Sequence, residues 1–168
     1  MKKIPFLFLL FLGLQIGPAL PLVAESTPAD SPATATPDAN LPQTWLGMKP
    51  EEAYRLLGAP AEISAVADNT GHLHVIHYYP NYTYLFWYDN HVWQVRLDKR
   101  YQGQFLGLTM GMDQAKVTAL MDKQWGPELA SGPDWAVWNL PYQIFSRRLK
   151  LVFEGGKLVD AFFYRGDL

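Results

Sequence analysis

The chain has 168 residues, a formal net charge of -2, 49% hydrophobic and 14% aromatic residues, and no cysteine. The missing thiols exclude disulfides, thiolate catalysis, cysteine-type zinc sites and acylation of an N-terminal cysteine. Setting aside Lys2 and Lys3 from the 14 basic residues, and Glu25, Asp30 and Asp38 from the 16 acidic ones, leaves 12 against 13 beyond residue 40, without the basic excess of a nucleic-acid footprint.

Residues 1–24 read as a secretory signal peptide. Lys2 and Lys3 form a positive head, Phe6 to Leu14 an apolar run, and Ala24 closes a group of small residues, with Ala19 as a second cleavage point. The apolar stretch from Ile4 to Ile16 is shorter than the roughly 20 residues that span a bilayer. No later run approaches that length, so neither a transmembrane segment nor a lipid anchor is expected after cleavage. Residues 25–40, ESTPADSPATATPDAN, hold no large apolar side chain and read as a flexible linker.

The remainder reads as two tandem α+β units, 41–103 and 104–168, each a helix packed on one face of its own antiparallel sheet. In the first, Pro50, Glu51 and Glu52 suit a helix start. Ala53, Leu56 and Leu57 make one apolar stripe, and Gly58 with Pro60 ends the helix. A short strand, HLHVIHYYP, precedes a hairpin in which Tyr84, Phe86 and Tyr88 alternate with Leu85 and Trp87. The hairpin turns at Asp89-Asn90 or Asn90-His91 and returns through Val92 to Leu97. The expected core face is Tyr84, Phe86, Tyr88, Trp93, Val95 and Leu97. In the second unit Asp113 is the expected N-cap, and Val117, Leu120 and Met121 form the stripe. Gly126-Pro127 stops the helix, and Gly155-Gly156 turns a second hairpin. A two-residue turn there would set Asp160 opposite Leu151 in the core; a bulge would relieve this.

The stretches LGMKPEEAYRLLGAPAEI with YLFWYDNHVWQV, and MGMDQAKVTALMDKQWGPEL with LVFEGGKLVDAFF, resemble the SmpA/OmlA family. That family includes the small lipoprotein of the outer-membrane β-barrel assembly machine, and its fold is shared with the secreted β-lactamase inhibitory proteins, which carry two such units in tandem. The resemblance implies a non-catalytic protein-binding module with a protein partner of unspecified identity. The lipidated cysteine of the lipoproteins has no counterpart here.

Chemistry is sparse. No HExxH, GxSxG, GxGxxG or Walker-type loop occurs, so no catalytic residue and no cofactor is expected. His72 and His74 share a strand face at i, i+2 and are weak candidates for a metal, while His77 has opposite parity. The hairpin face opposite the expected core carries Leu85, Trp87, Val92, Gln94 and Arg96. An apolar cluster rimmed by polar groups there reads as a partner-binding surface, unless another element covers it. The expectation is an exported protein, periplasmic or secreted, acting as an interaction module of the bacterial cell envelope. The alternative is a small-ligand or metal-binding protein, or an enzyme, with a site between the two units. The signal peptide gives the first prediction: intact-mass analysis of exported protein should show a chain beginning at Glu25, and a mature species retaining Met1 would refute the cleavage.

Overall fold

A computed structural model of the chain describes residues 38–67, 70–71, 73–141 and 143–168. The expected signal peptide, and residues 25–37 of the expected linker, lie outside the described residues. Asp38–Asn40, placed in the linker by sequence, are tied to the folded part: the indole of Trp45 donates to the Asp38 carbonyl at 2.6 Å.

After a 3-10 turn at Pro42–Thr44 come α1 (Pro50–Leu57), β1 (Glu62–Ala67), β2 (Leu73–Tyr79), β3 (Thr83–Tyr88) and β4 (His91–Leu97). Then follow α2 (Gln114–Trp125), β5 (Ala130–Gly132), β6 (Trp135–Leu140), β7 (Arg147–Glu154) and β8 (Lys157–Arg165). All eight strands form one sheet in the order β1-β2-β3-β4-β8-β7-β6-β5, antiparallel throughout. This corrects the expectation of two tandem helix-plus-sheet units. The physical reason lies in β4 and β8, whose Val95, Leu97, Ala161 and Phe163 are all fully buried. Two separate sheets would leave both strands as edges beside those side chains. Pairing Val95 with Phe163 and Leu97 with Ala161 closes both edges at once.

The register produces continuous inner rows. His77, Leu85, Val95, Phe163, Leu149 and Trp138 stand side by side across six strands, and Tyr79, Thr83, Leu97, Ala161, Leu151 and Ala136 form the next row. Every one is buried. Onto these rows α1 lays Ala53, with Leu56 and Leu57 at its margin, and α2 lays Val117 and Met121. Leu120, expected in the α2 stripe, is 36% exposed. The Trp138 indole donates to Asp122 of α2 at 2.9 Å, which fixes that helix to the sheet. Pro50 opens α1, and the Lys49 amide donates to the Glu52 carboxylate at 2.9 Å. Asp113 occupies the N-cap of α2 without a side-chain cap bond; its carboxylate accepts from Lys157 Nζ at 2.7 Å.

The two hairpins share one device. Asp89-Asn90 and Gly155-Gly156 all have positive φ, between 45° and 74°, the paired left-handed geometry of a type I′ turn whose twist matches the strands. Each hairpin then takes one extra residue. Trp87 pairs with Val92 but Phe86 pairs with Gln94, so Trp93 is bulged; Phe153 pairs with Leu158 but Val152 pairs with Asp160, so Val159 is bulged. Gly47-Met48 and Gly111-Met112 latch these hairpins from the helix side. Val92 exchanges backbone bonds with Gly47 and Met48 at 2.8 and 2.9 Å, and Leu158 does so with Gly111 and Met112 at the same distances.

The bulge corrects the expected hairpin faces. Thr83, Leu85, Trp87 and Val92 face the core, while Tyr84, Phe86, Tyr88 and Trp93 stand on the far side. Alternation fixes which β3 residues share a face but not which face is inside. In β4 the extra residue lets Val92 and Val95, three apart, both point inward. Leu85→Ala should therefore cost about 2–5 kcal/mol in denaturant unfolding, as buried aliphatic truncations do, whereas Tyr88→Ala, at a 41% exposed position, should cost less than about 1 kcal/mol.

A buried imidazole adds a pH dependence. His77 is 7% exposed, its ring 4.9 Å from that of Trp87 and 5.9 Å from that of Tyr54 on α1. Burial holds its pKa below the ordinary value of 6.5. The unfolded chain therefore takes up this proton before the folded one does, and stability is full above pH 6.5 and declines below it. Unfolding free energy measured from pH 7 to 5 should fall in the wild type, and His77→Phe should remove part of that slope.

Candidate functional site

The sheet's second face carries the candidate site. On it two rows cross the strands. One runs Tyr78, Tyr84, Arg96, Phe162, Lys150 and Val137; the other runs Ile76, Phe86, Gln94, Tyr164, Arg148 and Asn139. Both helices pack against the opposite side, and most of these side chains are half-buried, shielded by one another. The β8 bulge brings Asp160 to this face, opposite Val152 and not Leu151, so the awkward core carboxylate does not arise.

Arg96 sits at the centre. Its guanidinium grips Asp160 through two bonds, Nε to Oδ1 at 2.8 Å and Nη2 to Oδ2 at 3.0 Å. The two side chains are 35% and 20% exposed. The guanidinium also lies 5.4 Å from the Tyr84 ring and 5.5 Å from the Phe162 ring. A planar cation held by a carboxylate fork and flanked by two π faces has little rotational freedom left. The bonds to Asp160 raise its pKa against the opposing effect of burial, so the charge is permanent.

From Arg96 a polar chain runs to the sheet's end. The Tyr84 hydroxyl donates to Asp98 Oδ2 at 3.0 Å and accepts from Arg100 at 3.2 Å. Arg100 also binds both Asp98 oxygens and lies 4.4 Å from the Tyr82 ring. Burial pushes the Asp98 carboxyl up, but the bonds from Arg100 and Tyr84 outweigh it and leave the pKa below the ordinary carboxylate value. Burial, then the bond to Asp98, pushes the Tyr84 phenol up. At the other end of the row, Lys150 Nζ lies 5.4 Å from the Trp135 ring.

Beside the β4–β8 seam is an open depression of about 420 Å³ lined by Trp93, Gln94, Lys150, Phe162, Tyr164, Arg165 and Leu168. Aromatic faces, an amide and cationic heads on a rigid sheet suit non-covalent recognition. Arg96, Arg148 and Lys150 are the cationic groups of the two central rows, with Asp160 bonded to Arg96, while Glu62 and Glu154 stand on the same face nearer its margins.

The five residues expected to bind a partner do not share a face. Gln94 and Arg96 belong to this surface, whereas Leu85, Trp87 and Val92 are in the core, at 0%, 7% and 0% exposure. Their apolar character is explained by the core they fill. Tyr84, Trp93, Lys150, Asp160, Phe162 and Tyr164 are the functional candidates that sequence reasoning missed; the signal available was Asp160, an acid in an apolar strand. His74 lies on β2, its ring 5.7 Å from Trp93 and 6.3 Å from Tyr88. His72 lies outside the described residues, so the expected histidine pair is not seen as a pair. Among the described residues no three His, Asp or Glu side chains converge on a point that could hold a metal.

No known protein family matches the chain, and no curated protein sequence matches it. A solved structure, an extracellular protein containing an SCP domain from Bacillus anthracis strain Ames, matches the fold with a TM-score of 0.51 at 12% sequence identity. The match covers 87% of this chain and 51% of that one, so the chain spans about half the length of this neighbour. The resemblance to SmpA/OmlA and to the β-lactamase inhibitory proteins is thereby corrected. The eight-stranded sheet with two helices is not their two-unit fold, and the structural likeness is to a different protein. Short helix–Gly-x-Pro–hairpin motifs are compatible with either connection of the strands, which is why they misled.

Proposed function

We propose that this chain is an exported, non-catalytic protein-binding module of the bacterial cell envelope that holds its partner against the open face of the sheet. The observation that carries the reading is the immobilised Arg96, doubly bonded to Asp160 between Tyr84 and Phe162 at the centre of an aromatic row. Rigid aromatic and arginine side chains dominate the energetics of protein interfaces because they bury much area at little entropic cost. Arg148 and Lys150 in the central rows favour a partner that places carboxylates against that part of the face. Export is supported by the leader at residues 1–24 and by the extracellular nature of the structural neighbour.

The test uses mature protein immobilised against a native envelope extract, read by mass spectrometry. Lys150→Glu and Tyr164→Ala leave the Arg96–Asp160 fork in place. Each should keep the melting temperature within a few degrees of wild type and weaken capture of the specific partner at least tenfold, with Lys116→Glu on exposed α2 as an unaffected control. Variants that stay folded and capture the same partner undiminished would remove this face from consideration.

A further inference from the structure

The two outer edges of the sheet are built differently. β5 is three residues long and is followed at once by Pro133, which cannot donate to a ladder. β1 is six residues long, pairs with β2 without a bulge, and contains no lysine, arginine or proline. Those are the features that ordinarily protect an edge. Every residue of β1 is exposed, with Ile63 at 57% and Val66 at 54%.

The side chains behind this edge tell the same story. Ile63 opposes His77 and so continues an inner row beyond the reach of α1, which ends at Leu57. Ala65 opposes Val75, and Ala67 opposes Leu73. On the helix side Ile63, Val75 and Leu73 remain 57%, 37% and 67% exposed. Among the described residues this apolar row stops without a neighbour, beside a ladder of backbone groups that no further strand pairs.

We propose that the missing strand is β1 of a second copy, paired antiparallel about a two-fold axis perpendicular to the sheet. The geometry and composition of β1 suit this occupant. Such an axis keeps the helix side of one copy on the helix side of the other, so the two exposed rows meet and cover each other. An axis at Ser64 or Ala65 falls at the middle of the strand on small residues that tolerate their own image. Glu62, the only charged residue of β1, then lies opposite Val66 or beyond the partner strand, and never opposite Glu62. The far edge, short and proline-flanked, cannot continue the pairing, so the assembly closes as a dimer with the strands of both copies in one sheet. The contact is separate from the open face around Arg96, which both copies leave available.

The absence of cysteine makes the test clean. Directly opposed residues of antiparallel strands have Cα atoms about 4.5–5.5 Å apart, within the range a disulfide bridges. In mature full-length chain, Ser64→Cys or Ala65→Cys should form an intermolecular disulfide under mild oxidation, while Ser131→Cys on β5 should not. Sedimentation of the wild type should show a concentration-dependent monomer–dimer equilibrium. Ala65→Lys, which sets like charges at or beside the axis, should raise its dissociation constant at least tenfold, with circular dichroism showing that the variant is folded. A wild type that sediments as a monomer at hundreds of micromolar overturns the proposal. So does a dimer that persists undiminished in Ala65→Lys, or one that cross-links through Ser131 and not through residues 64 and 65.

Discussion

The pairing of β4 with β8 joins rows of side chains that would otherwise break at the middle of the molecule, and it does so through four residue pairs. On the helix side it sets Val95 and Leu97 against Phe163 and Ala161, so that one core serves both helices. On the far side it sets Arg96 beside Phe162 and within reach of Asp160. The core and the candidate site are thus two faces of one contact. A change that opens the seam would remove the fork and the hydrophobic continuity together.

Side-chain placement on that contact is controlled by the bulges after the two tight turns. A strand alternates faces with a period of two, so one inserted residue exchanges the faces of everything beyond it. In β4 the insertion admits both Val92 and Val95 to the core and sends Gln94 and Arg96 outward. In β8 it turns Asp160 away from Leu151 and toward Arg96. The Arg96–Asp160 bond depends on both insertions, although the two residues come from different hairpins. The latches from Gly47-Met48 and Gly111-Met112 hold each strand at the second residue after its turn, directly before the inserted one, which fixes where the insertion falls.

The local grammar of this chain is legible. Pro50 and Gly58 bound α1, Gly126 ends α2, and Gly155-Gly156 makes its turn. Which strand neighbours which is not, because a motif of helix, break and hairpin is equally compatible with separate sheets and with a shared one. The candidate site was half visible for a related reason. Gln94 and Arg96 are correctly outward, since polar residues at that parity leave little choice. Leu85 and Trp87 are not, because β3 is apolar on both sides and burial is decided by what packs against it. Tyr84 and Phe86, which look like core by size, are outside because Thr83, Leu85 and Trp87 take the buried, helix-side face of β3. Asp160 stands out as an acid in an apolar strand, but its partner is 64 residues away in sequence, beyond any local pattern.

That same separation sets an order of events in folding. The tight turns close their hairpins over two residues, a step that takes microseconds, whereas closing the seam must first bring together segments far apart along the chain. Loop-closure entropy grows only slowly with length, but it is incurred before any seam contact returns it. Between those two events the chain carries β4 and β8 as unpaired edges, each bordered by the apolar side chains that later meet. That interval is when mispairing with another chain competes with native closure, and its length is governed by the seam and not by either hairpin.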